Sequence, residues 1–322
     1  MMGLSMKILC ATDLLAKSEA AVQRAGMLAD NLEADVTLLH VVTPSQSERV
    51  LEQSLQMAIV DMKSRARRPF WRARQKPNIA VQTGSPAKII LAALSRSTPG
   101  LLILGPHRKR PIRDALEGTV AQKALATRKC PVLVVHSQPH NPYQRVLFAL
   151  DTSSASATAV RVAESLVFTA VKKTQVVRAH LPAQEGMSLH YGFGPDSITT
   201  CSIVEKSEAE GAVRNMLECE SDASARYEIL IEQSCIPTTV VRAIDQYQPD
   251  LLVMGTRGRG RVHGALFGSV ANRILREVAC DTLIVPEGCC ERSRALAASS
   301  STRDRSAGPA NRALLSLDQD MS

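Results

Sequence analysis

The segment Gly255-Thr256-Arg257-Gly258, followed after nine residues by Gly268-Ser269, has the residue types and spacing of a polyphosphate cradle. Glycine lets backbone N–H groups approach an anion because no Cβ intervenes, and a helix beginning just behind adds free amides and the positive end of its dipole. Ser269 contributes a hydroxyl and an amide to the first turn of a helix carrying Val270, Ile274 and Val278 on one face. A strand-like run, Leu251-Leu252-Val253-Met254, leads into the loop. Ligands of open α/β sheets lie outside the carboxyl ends of the strands, where Asp151, Gly255 and this loop would converge. Two glycines after a strand are more often plain turn and cap residues, so one such loop weighs about evenly between structure and function.

The balance shifts because the chain repeats itself. Lys7-Ile8-Leu9-Cys10-Ala11-Thr12-Asp13 returns as Arg145-Val146-Leu147-Phe148-Ala149-Leu150-Asp151, an apolar run ending on aspartate both times. Leu101–Gly105 returns as Leu251–Gly255, and Cys130–Val135 as Cys280–Val285, both at an offset of 150 residues. A period of this size is one domain repeated in tandem, and it settles the architecture before single elements are assigned.

Each half alternates short β-branched runs with helical patterns, the sequence form of a parallel sheet covered by helices. Half one predicts strands at 7–12, Val36–Val42, Ile79–Gln82, 101–104 and 132–135. Helices are predicted from Ser18 to Asn31, around Leu51, Leu55, Ile59 and Met62, from Pro86 to Ser95, and from Thr119. Half two repeats the order. Pro86 and Pro237 stand where helices begin, a position at which proline's missing N–H costs nothing.

At these residues the chain resembles the universal stress protein family, whose nucleotide-binding members carry Gly-x-x-Gly-nine-Gly-Ser/Thr between the fourth strand and the last helix. The resemblance spans about 6–136 and 144–286. It implies two tandem doubly wound α/β domains, each a five-stranded parallel sheet with helices on both faces, Rossmann-like and similar to the adenine nucleotide alpha hydrolase fold. The domains would be 1–137 and 144–286, with a linker at 138–143 and a disordered tail at 287–322. By the same resemblance ATP, with Mg or Mn left open, lies between the ends of strands one and four. Asp151 would contact the ribose, while Ala149, Leu150 and Leu181 line the adenine pocket. Met254 belongs to the same binding set, and Gly255, Gly258, Gly268, Ser269 and Val270 would hold the phosphates. The half-one equivalents are Thr12, Asp13, Val41, Gly105, Gly118 and Thr119.

Half one departs from the pattern where Gly105-Pro106-His107-Arg108 puts arginine in place of the second glycine. If that position needs φ > 0, a side chain there costs roughly 1–2 kcal/mol, and the guanidinium could occupy the phosphate space itself. Lys109, Arg110 and Arg113 keep the loop basic. The half-one site is therefore read as degenerate.

Composition sets the remaining bounds. The 322 residues suffice for two cores, 45% are hydrophobic, and the formal charge of +8 favours anionic partners. Aromatic residues are only 3%, with no zinc finger, basic zipper or RNA-recognition signature, so a small anion is preferred over nucleic acid. No apolar run has membrane-spanning length, and no secretory leader can be laid out at the N-terminus, which predicts a soluble cytoplasmic protein with reduced cysteines. No metal site is read from the scattered cysteines. His40 and His180, near the ends of the second strands, are read as structural. Thr152 and Ser153 lie in neither a nucleophile elbow nor a kinase-type loop, so no catalytic residue is assigned.

The expectation is a stress-response ATP-binding protein in which the nucleotide acts as a conformational or partner switch, with no dedicated turnover. Slow ATP hydrolysis or adenylyl transfer is the alternative. A second alternative uses the basic segment 63–76, around Pro69, Phe70 and Trp71, to bind nucleic acid or an anionic surface. The last strands of the two halves are expected to pair with each other; a homodimer and a protein partner are left open.

Overall fold

The computed structural model describes residues 5–45, 47–106, 119–167, 171–179, 195–221, 227–232, 235–256, 273–274 and 278–289. Half one contributes β1 (Lys7–Thr12), α1 (Ala16–Leu32), β2 (Asp35–Val42), α2 (Glu48–Arg67), β3 (Asn78–Thr83), α3 (Pro86–Ser97), β4 (Leu101–Leu104), α4 (Val120–Ala126) and β5 (Val132–Val134). Half two follows with β6 (Arg145–Ala149), α5 (Ser154–Val167), β7 (Lys173–Ala179), α6 (Pro195–Glu220), β8 (Tyr227–Glu232), α7 (Ile236–Tyr247), β9 (Leu251–Gly255) and β10 (Asp281–Val285). The strands of half one, and β6, β9 and β10 of half two, match the predicted runs, with ends moved by one or two residues.

All ten strands form one sheet in the order β3-β2-β1-β4-β5-β10-β9-β6-β7-β8. Pairing within each half is parallel, and the halves meet where β10 runs antiparallel to β5, with Thr282 opposite Val134, Leu283 opposite Leu133 and Ile284 opposite Val132. Each final strand thereby covers the other's edge, which would otherwise present unpaired N–H and C=O groups to other chains.

The central strands are buried on both faces, as parallel strands between helical layers must be. Successive side chains point to opposite sides. Ile8, Cys10, Val146 and Phe148 therefore enter one core, and Leu9, Ala11, Leu147 and Met254 the other. Both cores run through both halves, so the two repeats share their hydrophobic interior.

Local chemistry explains the helix ends. Ser47 accepts the N–H of Val50 and starts α2. Proline occupies the first turn of α3 and of α7. Both helices stop on a left-handed residue, Thr98 (φ 43°) and Gln248 (φ 49°), whose N–H returns to Leu94 O and Ile244 O. Proline follows each stop and prevents the helix from continuing.

Candidate functional site

Within each half the strand order reverses direction between the first and fourth strands, β1 beside β4 and β6 beside β9. In half one the helices that follow them, α1 and α4, pack on opposite faces, the arrangement that leaves a crevice beyond the carboxyl ends of those strands. In half two the residues at that point are Ala149, opposite Met254 in the register, then Leu150 and Asp151 on one strand and Gly255 on the other.

Asp151 organises the turn into α5. Its Oδ1 accepts the Ser153 N–H at 3.0 Å and the Ser156 hydroxyl at 2.6 Å, and the Ser153 hydroxyl donates to it as well. The Asp151 N–H in turn donates to Ser156 Oγ at 3.0 Å. The carboxylate is thus oriented by the first turn of the helix and remains half-buried. Beside it the Thr152 Oγ1 is buried and has no hydrogen-bond partner among the described residues, an arrangement that leaves a desolvated hydroxyl's bonding capacity unused.

Gly255 has a structural reason to be glycine. A Cβ there would lie 2.9 Å from Ala155 Cβ and 3.0 Å from its carbonyl carbon, so the start of α5 rests against the end of β9. The next residue, Thr256, is fixed by its N–H to Val285 O at 3.0 Å. Leu150 and Met254 are each 4% exposed and belong to the two cores, whereas Ala149 and Asp151 are half-buried at the crevice.

Half one copies this plan with different capping. The Leu15 N–H donates to Asp13 Oδ1 at 3.0 Å, Thr12 Oγ1 and Ser18 Oγ are 2.9 Å apart, and a Cβ on Gly105 would come within 3.0 Å of Ser18 Cα. Thr119 caps α4: its Oγ1 accepts the Gln122 N–H while its own N–H donates to Gln122 Oε1. Val41 lies on β2 opposite Gln82. His40 Nδ1 is 2.9 Å from Thr12 O, so its ring ties β2 to the end of β1. Gly118, Arg108, His180, Leu181, Gly258, Gly268, Ser269 and Val270 lie outside the described residues.

The sequence reading missed the serines that hold Asp151, although an aspartate followed by a Ser-rich first turn is a capping signal. It also missed a cluster at the junction of the halves. Asp281, 2% exposed, accepts the N–H groups of His136 (2.8 Å) and Ser137 (3.2 Å) and the Tyr143 hydroxyl (2.7 Å). Arg24 stacks on the Tyr143 ring at 3.7 Å and donates to Asn141 O at 3.0 Å. No group of three or more histidine, cysteine or acidic side chains that could hold a metal ion occurs among the described residues. Nor is any described helix long and apolar enough to cross a membrane.

Two doubly wound halves of one sheet, each with an aspartate and a glycine at its strand-reversal point, define a tandem Rossmann-like α/β protein. The universal stress protein family model matches residues 5–136 and 142–286, and the chain belongs to that family. It is similar to a universal stress protein of Mycolicibacterium smegmatis, 23% identical over 298 residues that cover 86% of this chain and 96% of the relative. Among solved structures it is similar to a universal stress protein from Archaeoglobus fulgidus, with a TM-score of 0.63 at 16% identity, covering 88% of this chain and 96% of that one. A protein of unknown function from Pseudomonas aeruginosa matches with a TM-score of 0.58 at 18% identity, covering 94% of this chain and 99% of that one. At these identities the structural likeness speaks for the fold.

Proposed function

We propose that this is a cytoplasmic stress-response protein whose half-two crevice binds ATP, and that the nucleotide acts as a switch without dedicated turnover. The observation that supports it is the meeting of Asp151 and Gly255 at the reversal point of β6 and β9, beside a buried Thr152 hydroxyl with no partner among the described residues. In this reading Asp151 contacts the ribose, Ala149 and Leu181 shape the adenine end, and Leu150 and Met254, whose side chains enter the two cores, border it with backbone alone. Gly255, Gly258, Gly268, Ser269 and Val270 take the phosphates on backbone amides. The half-one site, at Thr12, Asp13, Val41, Gly105, Gly118 and Thr119, is degenerate because Arg108 replaces glycine. The working units are 1–137 and 144–286, joined by 138–143 and followed by the tail at 287–322.

In this reading turnover is negligible, because binding alone does not lower a barrier and the reading assigns no residue as a base for water. The direct test of the ligand is mass spectrometry of small molecules released from purified protein, with metal content measured in the same sample. ATP is expected. Release of a different class of molecule, such as a flavin or a lipid, would contradict the reading.

A further inference from the structure

Helix α2 has one face built into the protein and another on which nothing packs among the described residues. Ala58, Met62 and Ala66 point inward and are buried, and the chain continues into the fully buried Phe70. The segment is held close: a Cβ on Gly26 of α1 would fall 2.4 Å from the Pro69 carbonyl oxygen. On the opposite side Val50 is 50% exposed, Met57 72% and Val60 67%, and beyond the helix end Trp71 is 65% exposed. Side chains advance about 100° per residue, so Val50, Met57 and Val60 lie within an arc of roughly 80° and form one stripe along the helix.

Basic residues flank that stripe. Lys63, Arg67, Arg68, Arg72, Arg74 and Lys76 are exposed. Asp61 is the acidic residue nearest to them on the helix, and it is already paired with Arg65 at 2.9 Å. Arg74 reaches Glu33 at 3.1 Å and Arg72 sits over the Trp71 ring at 4.7 Å, whereas Lys63, Arg67 and Arg68 make no ion pair among the described residues. Exposed apolar side chains cost free energy in water, and a row of free cations attracts anions.

We propose that the exposed face of α2, continued through Trp71, is a docking surface for an anionic lipid bilayer. Charge complementarity selects a negative partner, and the apolar stripe selects one that also accepts Val50, Met57 and Val60. A phosphodiester backbone satisfies the cations and leaves those three side chains in water. A bilayer satisfies both, because an amphipathic helix lies in the interface with its apolar side chains between headgroups and its cations on the lipid phosphates. The indole of Trp71, stacked under Arg72, has the mixed polarity that places tryptophan at this depth. The helix in the corresponding place of half two, α6, also exposes Ile203 and Val204, but beside Glu205 and Glu208. Lys206 is the one basic residue in that stretch and Glu205, Glu208 and Glu210 outnumber it, so docking is one-sided, through half one.

Trp71 is the only tryptophan in the chain, and its emission reports the patch without a label. Vesicles containing phosphatidylglycerol should shift that emission to the blue and sediment the full-length protein, while pure phosphatidylcholine vesicles should do neither. Salt should reverse the binding. Lys63→Glu combined with Arg67→Glu and Arg68→Glu should weaken it on the order of a hundredfold. Met57→Ser with Val60→Ser should weaken it and diminish the blue shift, and Lys206→Glu on α6 should change neither. These substitutions are all at exposed positions, and unchanged circular dichroism verifies the fold. The proposal is overturned if phosphatidylglycerol vesicles leave the emission unmoved, or if the triple charge reversal binds them as well as the parent chain. Quenching of Trp71 by a single-stranded oligonucleotide, without a vesicle response, would likewise overturn it and make the face a nucleic-acid surface.

Discussion

Arg24 on α1 and Asp281 at the start of β10 face each other across the junction of the two halves, Nε to Oδ2 at 3.6 Å, with side chains 6% and 2% exposed. Tyr143 contacts both, its hydroxyl on the carboxylate and its ring under the guanidinium. One residue from each repeat and one from the connection are therefore locked in a single buried cluster. The position equivalent to Asp281 in half one is Pro131.

Removing the carboxylate should be costly. Asp281→Asn leaves Arg24 as a buried charge without its counter-ion, a change that typically costs about 3–5 kcal/mol. Arg24→Met with Asp281→Asn should cost less than the sum of the single changes. Denaturant titration of the four chains measures this; additive effects would show that the two residues act separately.

His136 makes stability depend on pH. Burial holds its imidazole below the ordinary histidine range, and the opposing pull of nearby Asp281 is the smaller effect. The unfolded chain therefore takes up the proton first, so stability is full above about pH 6.5 and falls as pH is lowered through that value toward the depressed folded pKa. Denaturation midpoints should decline from pH 7 to pH 5, and His136→Gln should flatten the decline. An identical slope in both chains would remove His136 as the cause.

Thiol reactivity should separate the cysteines. Burial pushes Cys10, Cys130 and Cys280 up to about 12, whereas Cys235, exposed at the start of α7, is held below the ordinary thiol value by hydrogen bonds with Thr238. Brief alkylation of native protein near neutral pH followed by peptide mapping should modify Cys235 and spare the other three until the chain unfolds. Early labelling of Cys10 would contradict the packing of β1.

Separated halves should not remain monomeric. Each would expose its last strand, Val132–Val134 or Asp281–Val285, along the edge that the other now covers. Light scattering of fragments cut in the 138–143 connection should show re-association or dimers. Two stable monomers would mean that the β5–β10 pairing contributes little.

The strands were legible because buried parallel strands need continuous apolar runs, and the repeat marked the first, fourth and fifth runs twice, as at Leu101–Leu104 and Leu251–Met254. The β5–β10 pairing was legible as an edge that required covering. The Arg24–Tyr143–Asp281 cluster was not, because its members are 119 and 138 residues apart in sequence and no local pattern connects an arginine in an alanine-rich helix to an aspartate after a cysteine. At the candidate site, Asp151 and Gly255 could be read as strand-end residues. The packing of Ala155 on Gly255 could not, since it depends on how closely α5 crosses β9. Leu150 shows the same limit: its position after β6 suggests the crevice, while strand alternation carries its side chain into the core.

The central claim is that one of two similar crevices binds ATP, and isothermal titration of the intact chain tests it most directly. The contrast between Gly258 and Arg108 sets the expectation, since close backbone approach to phosphates needs glycine and a bulky cation would fill the space. One ATP should bind per chain, Gly258→Arg should abolish binding, and Arg108→Gly should leave the half-two site intact. A steady-state ATPase assay on the same sample should remain at background. Two equivalent ATP sites in the parent chain, or full binding retained by Gly258→Arg, would contradict the account.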